Sequence, residues 1–158
     1  MRVSLVELVL LALAAAVAVT ALPRFSGGTS RSAVPARWDL TPGALNAGVT
    51  QATVAATICK RGWTRTIRPP TEYTNALKLR QMRLYREHGP PSAYQEDHLI
   101  SLELGGDPTD PRNLWPEPYP RASDVDRIEN DLNHRVCTGS LTLPEAQARE
   151  SALKHADG

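Results

Sequence analysis

Aromatic side chains are scarce. The 158 residues include one Phe, three Trp and four Tyr, so any core must be mostly aliphatic and modest in size. An excess of one charge is missing too: 18 Lys and Arg nearly cancel 17 Asp and Glu, leaving a net charge of +1. No global field is available to grip a polyanion, and nucleic-acid binding would need a local basic patch. Cysteine is limited to Cys59 and Cys137, and neither has a second cysteine nearby, which excludes a CxxC metal knuckle or redox motif. Internal repeats and low-complexity segments are absent. What remains is an ordinary composition, 41% hydrophobic and 22% charged, that excludes wholesale disorder. The length suits one domain, since domains cluster near ~100–150 residues.

The first stretch lies apart from that domain. Met1 and Arg2 precede Leu8 to Val19, a run of Leu, Val and Ala only. Val19-Thr20-Ala21 then supplies suitable residues at the −3 and −1 positions of a leader-peptidase site, the layout of a secretory signal peptide over 1–21. The alternative is an uncleaved membrane anchor, because Val3 to Leu22 approaches the ~20 apolar residues a spanning helix needs, although Glu7 interrupts it. Both readings export the domain, and the membrane enters only through the second. In an oxidising compartment Cys59 and Cys137 are most simply one disulfide closing a long loop; two separate buried thiols are the other reading. Residues 22–37, rich in Pro, Ser and Gly, read as a flexible linker, with the domain over 38–158.

Within the domain, Trp38 to Ala47 carries turn residues in Thr41-Pro42-Gly43. Val49 to Cys59 suits a strand or short helix. Gly62 to Arg68 alternates Trp63, Arg65 and Ile67 against Thr64, Thr66 and Arg68, which predicts a strand, ended by Pro69-Pro70. Thr71 is the expected N-cap of a helix over Glu72 to His88, stopped by Gly89-Pro90-Pro91. Its face of Tyr73, Leu77, Leu84 and Tyr85 adjoins a stripe of Arg80, Arg83 and Arg86. That stripe is either a phosphate-facing, nucleic-acid-binding surface or a solvated helix face. A further helix runs from Ser123 to Cys137, with Val125, Ile128, Leu132 and Val136 toward the core and Gly139 as its stop. The last helix opens with Thr142-Leu143-Pro144-Glu145, a capping box with an early Pro, and frays toward Gly158.

The densest chemistry runs from Tyr94 to Tyr119. Asp97 and His98 lie on an expected strand, followed by a Gly105-Gly106 break, a Pro/Asp-rich loop, and a second short strand opened by Asn113. Adjacent strand residues point to opposite faces, so Asp97 and His98 serve one site only if the strand twists or ends there. A histidine has the right proton affinity for a general base acting on water, and a carboxylate suits a hard divalent ion such as Mg2+. Asn113 can pin the intervening loop. The same residues also fit structural roles: an Asp-His pair in a strand, and turn chemistry at Asn113. Glu96 and Glu103 read as solvated, Trp115 as core, His88 as a helix C-terminal residue, and His155 as part of the tail.

The string DHLISLELGGDPTDPRNLWPEP resembles the ββα-metal core of HNH-type nucleases. It looks most like small exported bacterial proteins built on a DHLI…LGG…NLWPEP core. Flanking TIC, GWT, RPP and VC-x-G segments here are Thr57-Ile58-Cys59, Gly62-Trp63-Thr64, Arg68-Pro69-Pro70 and Val136-Cys137-Thr138-Gly139, extending the resemblance over Leu40 to Gln147. It implies that His98 is the general base for water, that Asp97 binds one divalent ion, and that Asn113 holds the loop and base. A further ligand should come from the next helix, where Asp126, Asn130 and Glu129 are the candidates; Asp126 also completes a capping arrangement with Ser123. The chain departs from the family in having Ser101 where Pro is common and in lacking the zinc-knuckle cysteines.

The expectation is therefore an exported α+β domain with a ββα-metal (HNH-like) hairpin-helix core, flanking helices and one disulfide. Its expected activity is divalent-metal-dependent phosphodiester hydrolysis of nucleic acid, with Mg2+ as the first choice and Mn2+ or Zn2+ as alternatives, and no organic cofactor. The rival expectation is a non-catalytic exported domain that uses the same scaffold to bind a partner or the cell envelope.

Overall fold

The structure is a computed structural model in which residues 33–158 are described. The expected leader at 1–21, and the linker as far as residue 32, lie outside the described residues. Among the described residues no helix is long and apolar enough to cross a membrane.

The domain is a small α+β fold. In chain order it contains α1 (Trp63–Ile67), α2 (Thr71–Tyr85), β1 (Tyr94–His98), β2 (Leu114–Pro118), α3 (Tyr119–Cys137) and α4 (Leu143–Ala156), with short 3-10 turns between them. The two strands pair antiparallel, with Asp97 opposite Trp115 and His98 opposite Leu114. Every residue of β2 is buried. Cys59 and Cys137 form a disulfide, with Cα atoms 5.5 Å apart, that ties the end of α3 to the segment before α1.

Two apolar clusters flank the hairpin and share its loop. Ile100 and Leu104 join Val49, Ile58, Leu132, Val136 and Leu143 in one; Tyr94, Leu99 and Trp115 join Val34, Met82 and Tyr85 in the other. Trp115 is fully buried, as expected, and donates from Nε1 to the Val34 carbonyl at 2.9 Å. The capping box at the start of α4 forms between Thr142 and Glu145, and Gly139 ends α3 with φ 77°.

Several expectations are corrected. Gly62–Arg68 contributes a short helix, not a strand: Trp63 and Ile67 are i, i+4 neighbours, and Trp63 packs against the first cluster. Val49–Cys59 is turns around a 3-10 turn at Val54–Ala56. Helix α2 starts one residue earlier than expected, with Pro70 at its N-cap, and stops at Tyr85 because Arg86 takes the left-handed conformation, φ 58°. Leu84, assigned to its buried face, is exposed. Helix α3 begins at Tyr119, four residues before Ser123, so Ser123 caps nothing and Asp126 is free of that role. Val34 to Arg37, assigned to the linker, packs on the domain: Ala36 N–H donates to the Lys154 carbonyl at 2.9 Å and Arg37 N–H to the Tyr85 hydroxyl at 3.0 Å. The tail does not fray either. His155 stacks on Trp38 with ring centroids 3.5 Å apart.

Candidate active site

Strand β1 ends at His98, which removes the alternation conflict. Asp97 and His98 line one cleft of about 390 Å³, together with Asp126, Glu129 and Asn130 of α3. All three candidate helix residues thus reach the same space as the strand pair. Arg68, at the end of α1, completes the rim.

The His98 ring is buried and oriented by the loop. Its Nε2 lies 3.1 Å from the Pro108 carbonyl. A carbonyl oxygen only accepts, so Nε2 carries the proton and Nδ1 is left as the basic nitrogen. Burial lowers the His98 proton affinity below its ordinary value, against the raising effect of Asp97. The ring is neutral near pH 7, the state a base requires.

Asn113 holds the carbonyl's support. It is fully buried, and its Oδ1 accepts the Ile100 N–H at 2.9 Å. Its Nδ2 donates to the Ile100 and Asp107 carbonyls, each at 3.0 Å. Asp107 precedes Pro108, so one amide spans the loop and anchors the group that orients His98. Gly106 permits this closeness: a Cβ there would lie 1.8 Å from the Ile100 carbonyl oxygen and 2.5 Å from Asn113 Nδ2. Gly105 has φ 78°, and its Cβ would meet Val49 at 2.5 Å.

Asp97 meets a cation that the sequence reading missed. Lys154 of α4 is fully buried, with Nζ 3.2 Å from Asp97 Oδ2, 2.5 Å from Glu129 Oε1 and 2.6 Å from the His98 carbonyl. Glu150 is 3.2 Å away and spends both oxygens on the Ser101 N–H at 3.0 Å. Burial opposes the Lys154 charge, yet Asp97, Glu150 and Glu129 outweigh it and hold the ammonium well above its usual range. In sequence, Glu150 and Lys154 look like an ordinary i, i+4 surface pair. Their only hint is the Ala/Leu spacing that buries that side of α4.

The other candidates separate. Asp126 is exposed, and burial followed by the Asp97 charge raises its proton affinity. Asn130 is also exposed and donates from Nδ2 to the Asp126 carbonyl at 2.6 Å. Glu96, read as solvated, has both carboxylate oxygens buried without a hydrogen-bond partner, and burial raises its pKa to about 8. Glu117, opposite Gln95, is likewise raised to about 8 by burial and then by Asp97. Glu103, also read as solvated, is half-buried on the cleft wall. Arg80, Arg83 and Arg86 are exposed and do not line the cleft, although the Arg80 charge acts on Glu96. Arg68 faces the cleft instead, where its charge acts on His98, Glu103 and Asp126.

The cleft's donor chemistry is that of a hard cation: carboxylate and amide oxygens, with Asp97 and Asp126 repelling across it. Among the described residues no group of three or more His, Cys, Asp or Glu encloses a metal position. The chain matches no family model, no curated protein and no solved structure.

Proposed function

We propose that the protein is a divalent-metal-dependent phosphodiesterase acting on nucleic acid, of the HNH type suggested by its central motif. One observation carries the reading: Asp97, His98 and the α3 residue Asp126 share a single cleft, with Nδ1 of a neutral His98 as the free basic nitrogen. His98 takes a proton from water as the water oxygen attacks phosphorus. Asn113 keeps the loop, and through Pro108 the imidazole, in register for that transfer. Asp97 and Asp126 hold the cation, with water and phosphate oxygens completing its shell as is usual for Mg2+. When bound, the ion stabilises the negative charge that develops at phosphorus and on the leaving oxygen. Five carboxylates line the cleft (Glu96, Asp97, Glu103, Asp126 and Glu129) against Arg68 on its rim. A phosphodiester therefore approaches only when a cation offsets that field, which ties activity to metal. Arg68 and Arg80 are the groups placed to meet flanking phosphates. The disulfide is compatible with the exported location that the leader suggests.

The test is incubation of the full chain with plasmid DNA and RNA in Mg2+ or Mn2+, beside a chelator control and His98→Ala. Metal-dependent cleavage lost in His98→Ala supports the mechanism. Cleavage that survives both treatments sinks it. A second reading, a non-catalytic binding domain, is favoured by one observation: Lys154 already neutralises Asp97 and Glu129 internally. No cleavage with either metal selects that reading.

A further inference from the structure

The sequence leaves three α3 residues as possible partners of Asp97, and the packing of α4 discriminates among them. An ammonium has three hydrogens. On Lys154 they go to Asp97 Oδ2, to Glu129 Oε1 and to the His98 carbonyl. With Nζ fully buried, and 5.3 Å from the centre of the Trp115 ring, the lysine has no water to turn to and no alternative acceptor that is not already bonded. Glu150, the remaining carboxylate in reach, accepts the Ser101 N–H. Glu129 is thus committed to an internal cation. Asp126, one turn earlier on α3 and on the same cleft, has no hydrogen bond or ion pair to its carboxylate among the described residues, and Asn130 bonds back onto its own helix.

We propose that Lys154 is a positioning residue that selects the metal ligand on α3: by engaging Glu129 it leaves Asp126 as the helix carboxylate open to a divalent cation, while its bonds to Asp97 and the His98 carbonyl hold the strand end against it. The inference rests on the metal-dependent reading of Asp97. Three consequences follow for the chain's own residues. Removing the Glu129 charge costs little cation affinity, because that charge is already spent. Removing the Asp126 charge costs much. Replacing Lys154 by an apolar side chain of similar length releases Glu129 into the site and removes a like charge beside the cation.

The experiment is calorimetric titration of the full chain with MnCl2 in the absence of substrate, with circular dichroism to establish that each variant is folded. Asp126→Asn should weaken Mn2+ binding by about tenfold or more, and Glu129→Gln by less than about threefold. Lys154→Met should tighten binding by about tenfold, as expected for loss of a neighbouring positive charge. That gain should vanish in the Lys154→Met/Glu129→Gln double variant. A purely structural lysine would lower the melting temperature without producing a Glu129-dependent gain. Glu129→Gln weakening binding as much as Asp126→Asn overturns the proposal, as does a folded Lys154→Met variant with unchanged affinity. If Lys154→Met does not fold, the comparison of Glu129→Gln with Asp126→Asn decides alone. Mn2+ binding that follows this pattern in a protein that cleaves neither DNA nor RNA would sink the nuclease reading and leave the ligand assignment standing. Absence of Mn2+ binding in the parent and all variants overturns the assignment itself.

Discussion

On one face of β1 the Asp97 carboxylate lies 3.2 Å from a fully buried ammonium; on the other, both Glu96 oxygens are buried with no hydrogen-bond partner. The residues are neighbours on one strand and opposite in fate. Asp97 sits where α4 delivers Lys154. Glu96, alternating to the side of Tyr94 and His98, has only the more distant charges of Lys78 and Arg80, which do not offset its burial. Its pKa of about 8 keeps it protonated at neutral pH. His98, on that same face, is kept neutral by the same desolvation in the opposite sense. One face of the strand is therefore a neutral pair of acid and base, and the other is an ionic network.

Breaking the ionic face should have the largest effect. Lys154→Ala leaves Asp97, Glu129 and Glu150 without their shared cation and should destabilise by about 3–5 kcal/mol, read from urea unfolding. An unchanged unfolding midpoint would mean the network is an ornament of the fold. Next comes the loop that orients the neutral face. Asn113→Ala strips partners from the Ile100 N–H and from the Ile100 and Asp107 carbonyls, a loss of about 2–4 kcal/mol. It should also lower cleavage more than a stability loss of that size explains, because Pro108 would no longer hold His98 in place. Full activity in folded Asn113→Ala protein would exclude the positioning role.

Glu96→Gln sharpens the comparison from the other side, because it should stabilise. The folded state holds a proton on Glu96 between pH 4.5 and about 8 that the unfolded chain has released. Stability contributed by this group therefore falls as pH rises through that window. Gln removes the dependence, so melting temperatures of the two proteins should converge near pH 4.5 and separate above pH 8, by about 1–3 kcal/mol. A variant that gains nothing at high pH would show that Glu96 has a counter-ion. The smallest expected effect concerns His98. With its folded proton affinity lowered, the unfolded chain binds the extra proton first on acidification, so stability from this group is lost as pH falls through about 6.5. The cleavage rate should hold through that same pH and drop only at more acid values. A rate that halves at or above pH 6.5 would contradict the buried, neutral ring.

Much of the site was legible because it is local. The turn residues Gly105, Gly106 and Asn113 stand within nine positions of one another, and their roles follow from steric limits and amide valence that hold in any context. The helix boundaries carried by Thr142, Glu145 and Gly139 were legible for the same reason. The strand expected at Gly62–Arg68 failed because five residues fit either period, and only the packing of Trp63 against the Ile58–Leu132 cluster chose the helix. Glu96 read as solvated because its burial is imposed by α2, a contact no spacing encodes.

The sequence by itself determined a small aliphatic domain, its hairpin with an Asp-His strand end, the amide that closes the loop, and the cysteine pair. Those features depend on neighbours in the chain or on the exclusion of every other partner. Tertiary structure alone decided the charge states. Whether Asp97, Glu96, Glu117 or Glu129 keeps its charge depends on which cation shares its low-dielectric surroundings. That cation, Lys154, arrives from 57 residues beyond Asp97, on a helix whose sequence looks like surface.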